Sequence, residues 1–188
     1  MSILEIILIG VGLAMDAVAV SIANGMVYRN ITKAGYISMP VMFGIFQMMM
    51  PVAGYYAGEV FGQTLKTHSG LVVLIILGVI GAKMVIEGLK KLKDSGADGQ
   101  QPAGKKFSFT VVLLQAVATS IDAFAVGVGL SAAEADMWLT VSLIGIVTAI
   151  MVTGALFVGK KLGRILGKYS EIAGGLILIL IGIKSFLA

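Results

Sequence analysis

MDAVAVSIANG, at residues 15–25, and IDAFAVGVGLS, at residues 121–131, decide how this chain folds. The two stretches align without a gap: Asp16 with Asp122, Ala17 with Ala123, Ala19 with Ala125 and Val20 with Val126. Both lie inside long apolar runs. A carboxylate at the centre of a membrane helix costs about 2.5–3.5 kcal/mol on insertion scales, so a pair of them at matching positions marks a repeated unit. Working outward, six runs approach the roughly 20 apolar residues that a spanning helix needs. They are 3–26, 35–58, 70–89, 107–131, 137–159 and 172–187. The runs are continuous and lack the alternation of barrel strands, so helices are expected. Three fall to each copy, and an odd number turns the second copy over relative to the first. The expected fold is an all-α membrane protein of six transmembrane helices, arranged as two inverted three-helix repeats. The repeats are 1–89 and 107–188, joined by the polar linker 90–106, KKLKDSGADGQQPAGKK. Weaker echoes support the division. Gly54 and Gly58 answer Gly154 and Gly159, and similar LILGVIG-like runs occur at 75–81 and 179–183.

Composition agrees. The chain is 58% hydrophobic and 13% charged, against about 45–50% and about 25% for a soluble domain. There is no cysteine, which excludes disulfides and thiolate metal sites, and the one histidine, His68, has no second imidazole to share a metal with. The net charge of +4 does not indicate nucleic acid, because the basic residues sit in short connections between apolar runs. Arg29, Lys33, Lys90, Lys91, Lys93, Lys105, Lys106, Lys160, Lys161, Arg164 and Lys168 fall on one side; Lys66, with the acidic Glu134 and Asp136, falls on the other. The positive-inside rule makes the first side cytoplasmic, with both termini external and the linker 90–106 internal. The first run has no basic leader and carries Asp16 near its middle, so it reads as a span rather than a signal peptide.

The site follows from the acids. Equivalent positions near the midplane of an inverted repeat can approach each other, so Asp16 and Asp122 are the candidate metal ligands. Two readings stay open: a shared cation or proton site, or two carboxylates bonded to neighbouring backbone. Helical steps of three, four, seven and eight from Asp16 reach Ala19, Val20, Ala23 and Asn24. From Asp122 they reach Ala125, Val126 and Gly129, and backwards Ala118 and Thr119. Such small faces suit close packing, and close packing also brings carbonyls near an ion. In FQMMMPVAG (46–54), Pro51 removes the hydrogen bond to the Gln47 carbonyl. Gln47 therefore offers two oxygens at one depth, either as ligands for a hard dication or as a cross-helix bond at a kink. Ser21, Asn24, Thr119, Ser120 and Thr148 are supporting candidates, with backbone bonding as the alternative for each. Lys83 and Glu87, four apart, read as an intrahelical pair. Lys184 reads as snorkelling to the outer interface.

Beyond these physical readings, MDAVAVSIANG, TSIDAFAVGVGL (119–130), GAKMVIEG (81–88) and EIAGGLILILIGI (171–183) closely resemble the bacterial manganese efflux pump family MntP, placed near the lysine-exporter superfamily. The resemblance covers essentially the whole chain. It implies a multi-pass inner-membrane exporter that removes Mn²⁺ from the cytoplasm, with the family's motif acids at Asp16 and Asp122. Some members of that family carry a glutamate in the second span where this chain has Gln47, which lowers the formal charge of the site by one. The metal is then the transported substrate, no cofactor is expected, and the partners are the dication and the lipid bilayer. Oligomeric state is not read from the sequence. An exporter of an amino acid or other cation is the alternative that the superfamily link allows. An enzyme is not expected, and no GxxxxGK[ST] motif is present to couple ATP.

Overall fold

Ser2 opens the first helix: its hydroxyl accepts the Glu5 N–H at 3.3 Å while the Glu5 carboxylate accepts the Ser2 N–H at 2.9 Å. This reciprocal cap satisfies two backbone donors that a helix start leaves unbonded. In the computed structural model, which describes residues 2–28, 31–94, 107–131, 136–166 and 169–187, all regular structure is helical. The side chains of 57–70, 72, 73, 91, 93, 94, 131, 171 and 185 are outside that description. In chain order the helices are α1 (Ile3–Val27), α2 (Lys33–Asp94), α3 (Phe109–Thr119), α4 (Ile121–Ser131), α5 (Met137–Leu166) and α6 (Ser170–Leu187). Residues 95–106 of the expected linker, Arg29, Glu134 and Lys168 lie outside the described residues, as do the side chains of Lys66, Lys91, Lys93, His68 and Glu171.

Among the described residues, four segments are long and apolar enough to cross a membrane: Ile3–Val27, Lys33–Tyr56, Phe109–Leu130 and Met137–Leu166. Ile172–Lys184 is a shorter apolar helix. Large apolar side chains point outward all along these helices, among them Leu8, Met49, Ile150, Phe157 and Leu180. Water would not tolerate that surface, and lipid does.

Two element boundaries differ from expectation. The second and third runs, 35–58 and 70–89, are joined in one continuous helix, α2. The fall in hydropathy around Lys66 marks where the chain stops being apolar; it does not end a hydrogen-bond ladder that water tolerates as well as lipid. A straight helix of this length would measure about 93 Å, yet Met39 and Phe43 near its start and Leu77 and Met84 near its end contribute to one core with Val20 and Ala23 of α1. The helix is therefore not straight. The second difference is a break. The run 107–131 is interrupted at Ser120, where φ is −106° and ψ is 2°, and its N–H turns back to the Val117 carbonyl at 3.2 Å.

Backbones approach closely where glycine permits it. α1 lies along α5, and a Cβ at Gly25 would stand 2.6 Å from the Leu156 carbonyl oxygen. α4 lies along the first half of α2, where Gly54 abuts the Phe124 carbonyl and Gly127 abuts the Pro51 carbonyl. The second half of α2 packs on α6. Aromatic contacts tie helix ends together. Tyr36 stacks on Phe157 with ring centroids 5.5 Å apart, the Lys160 ammonium lies 5.4 Å from the Tyr36 centroid, and Tyr28 meets Phe107 edge-on at 5.9 Å. Burial pushes the Tyr28 phenol above its usual range, and a hydrogen bond with the Ser108 backbone partly opposes this.

Candidate metal site at the helix break

The break in α3–α4 falls two residues before Asp122, and hydroxyls shape it. Thr119 Oγ1 donates to the Gln115 carbonyl at 2.9 Å, and Ser120 Oγ donates to the Ala116 carbonyl at 2.8 Å. Such back-bonding satisfies carbonyls near a helix end and bends helices that contain it. Thr119 and Ser120 thus act first on their own backbone, as the alternative reading of the sequence allows. The break places Asp122 in the first turn of α4, where the positive end of the helix dipole favours a carboxylate. Asp122 Oδ1 accepts the Ala123 N–H at 2.9 Å.

Asp16 sits in the middle of unbroken α1. Both motif helices reach one apolar cluster, although α1 packs mainly on α5 and α4 on α2. Leu13 of α1 and Ala123 of α4 share a small apolar cluster with Ile144 of α5, against which Met50 and Val126 pack. Asp122 lies within electrostatic range of Asp16 and of Lys184. Gln47 joins from α2: it is 1% exposed, and its Nε2 donates to the Leu13 carbonyl at 2.9 Å. That bond commits the amide nitrogen to α1 and leaves the amide oxygen as its ligand-capable atom. Pro51 is accommodated within α2, its carbonyl against Gly127.

The supporting candidates divide. Thr148 is buried one turn beyond Ile144 and donates to the Ile144 carbonyl at 2.9 Å. Ser21 and Asn24 lie further along α1 and are buried. Asn24 Nδ2 donates to Gln115 Oε1 at 2.8 Å, while Ser21 Oγ and Gln115 Nε2 are buried without a partner among the described residues. Asn24 and Gln115 thus tie α1 to α3, eight residues along α1 from Asp16.

Sequence reasoning missed two residues. Gln115 lies seven residues before Asp122, two turns along one face, and that spacing was its available signal. Lys184 is the larger omission. Rather than reaching for the outer interface, its ammonium lies 3.1 Å from Asp16 Oδ1, with the lysine side chain 69% exposed and the aspartate 25%. α6 runs beside α1 and brings Lys184 level with Asp16, so the carboxylate is the nearer partner. Lys83, expected to pair with Glu87, is exposed.

Among the described residues no three of His, Cys, Asp and Glu gather as a metal cluster. Asp16, Asp122 and Gln47 offer carboxylate and amide oxygens, the kind of donor that hard dications accept.

A helical bundle with several segments long and apolar enough to cross a membrane defines a multi-pass membrane protein. Residues 30–186 match the family described as "Putative manganese efflux pump". The chain is similar to proteins named "Putative manganese efflux pump MntP" from Ruminiclostridium cellulolyticum (43% identity over 99% of this chain and 96% of that protein) and Methanobrevibacter smithii (40%, 99% and 97%). A third, from Clostridium perfringens, is 37% identical over 100% of this chain and 95% of its own length. The chain belongs to this MntP family. Its relatives are named for transport rather than for enzymatic activity. No solved structure matches the chain.

Proposed function

We propose that this protein is a secondary-active exporter that carries Mn²⁺ out of the cytoplasm, with the ion held between Asp16 and Asp122. Gln47 supplies an amide oxygen, and carbonyls near the Ser120 break complete the shell. The observation that carries the reading is the convergence of Leu13 and Ala123, neighbours of the two repeat-related acids, in one cluster beside a broken helix. Discontinuous helices at the midplane are a recurring transporter device for coordinating ions. Two carboxylates neutralise a dication, which offsets much of its desolvation cost.

In this reading the chain crosses the membrane six times as two inverted repeats, with the second half of α2 and α6 as the third and sixth spans. Both termini are outside and the linker is inside. The packing supports it. α1 pairs with α5 while α4 pairs with the start of α2, so each half lends its acidic helix to the other. Rocking of one half against the other would open the site to each side in turn. Protons entering from outside would discharge the two aspartates, expel the metal and reset the carrier.

Export of Mn²⁺ from metal-loaded cells or vesicles tests this. The wild-type chain lowers internal Mn²⁺, and Asp16→Ala or Asp122→Ala abolishes the effect while the protein still inserts. Unchanged manganese handling in both variants refutes the site, and transport of an amino acid in place of manganese refutes the substrate.

A further inference from the structure

We infer that Lys184 is a tethered cation that occupies Asp16 in the metal-free carrier and that an incoming dication must displace. The inference rests on the two-aspartate site proposed above. Its ground is the ion pair at 3.1 Å between Lys184 Nζ and Asp16 Oδ1. Cation ligand distances are roughly 2.0–2.6 Å for hard dications, so a metal on that oxygen and an ammonium beside it would stand close together with like charge. One of them leaves. The lysine can do so, because it is 69% exposed on a flexible four-carbon stem.

The lysine also belongs to the repeated unit. GAK at 81–83 and GIK at 182–184 follow matching apolar runs, which makes Lys83 the counterpart of Lys184. In this conformer Lys184 is engaged with Asp16, while Lys83 is exposed.

Charge explains the benefit. With both acids ionised, the empty site carries two negative charges, and the paired lysine reduces this to one. A carrier returning empty across a low-dielectric barrier is less opposed when its net charge is smaller. The same ammonium competes with the metal at high effective concentration, which weakens binding and speeds release.

The test is Mn²⁺ titration of the purified full-length chain in nanodiscs, with free Mn²⁺ read by electron paramagnetic resonance. Lys184→Met should lower the Kd about fivefold, the upper range for an exposed ion pair, and should slow maximal export. Lys184→Arg, which keeps the cation, should bind Mn²⁺ no more tightly than wild type. A merely structural lysine would lose stability and affinity together when replaced, not gain affinity. Unchanged or weaker binding in Lys184→Met overturns the inference, as does equal tightening in Lys184→Arg. Asp16→Asn separates the two levels. If it loses binding while Lys184→Met stays at wild-type affinity, only the tethered cation is wrong. If it binds normally, the two-aspartate reading fails and this inference falls with it.

Discussion

Gly127→Ala should separate α4 from α2 and destabilise the protein, whereas Gly129→Ala, two residues further along the same helix, should not. A methyl group at Gly127 would press into the Pro51 carbonyl and stand 2.6 Å from the Pro51 Cα, while one at Gly129 meets nothing within 4 Å. Ordinary contact begins at 3.4 Å, so the helices must part by at least 0.8 Å (3.4 minus 2.6) at the Cα alone. The obstacle is backbone, which cannot swing aside as a side chain does. A radial gap of about 0.5–1 Å forfeits a quarter to a half of the dispersion energy of each atom pair across the contact. Overpacking of this kind typically costs about 1–3 kcal/mol. Replacing glycine by alanine within a helix returns about 0.5–1 kcal/mol, so the net loss at Gly127 is roughly 1–2 kcal/mol and the net effect at Gly129 is neutral to stabilising. The contact anchors the helix carrying Asp122 to the proline of the helix carrying Gln47, so Mn²⁺ affinity should fall in Gly127→Ala as well. Thermal unfolding in detergent, with and without Mn²⁺, reads both quantities. Equal melting temperatures for the two variants would refute the close packing of α2 on α4.

Two further substitutions probe the polar groups. Asn24→Ala removes the 2.8 Å bond to Gln115 and leaves that buried amide without partners at either end; a loss of about 1 kcal/mol is expected, within the range for hydrogen bonds between membrane helices. The double variant with Gln115→Ala should cost less than the sum of the singles, which a double-mutant cycle of unfolding free energies would reveal. Gln47→Leu removes an oxygen ligand and the bond to the Leu13 carbonyl. Mn²⁺ binding should weaken about tenfold, in line with one hydrogen-bonding group acting on a charge, and isothermal titration checks it; undiminished affinity would exclude Gln47 from the shell.

The features legible in the sequence are those with a local cause. Each aspartate announces itself by standing in an apolar run, and Ile3–Val27 and Met137–Leu166 begin at the residues where hydropathy rises. Gln47 was legible through its four-residue spacing from Pro51, although its nitrogen proves to be committed to Leu13. Features set by competition between backbone and solvent were harder to read. Hydropathy averages over a span and does not register that Thr119 and Ser120 together take over carbonyls that a continuous helix would use, which is how the chain breaks beside Asp122. Nor does it register that α2 stays helical through its polar middle. Least legible is the partner of Asp16, which lies 168 residues away. A lysine near a helix end has a ready local explanation in snorkelling, and only the packing of α6 beside α1 makes a carboxylate the better-placed partner. Long-range charge pairing therefore depends on the order of helices in the bundle, and in this chain that order brings Lys184 to Asp16.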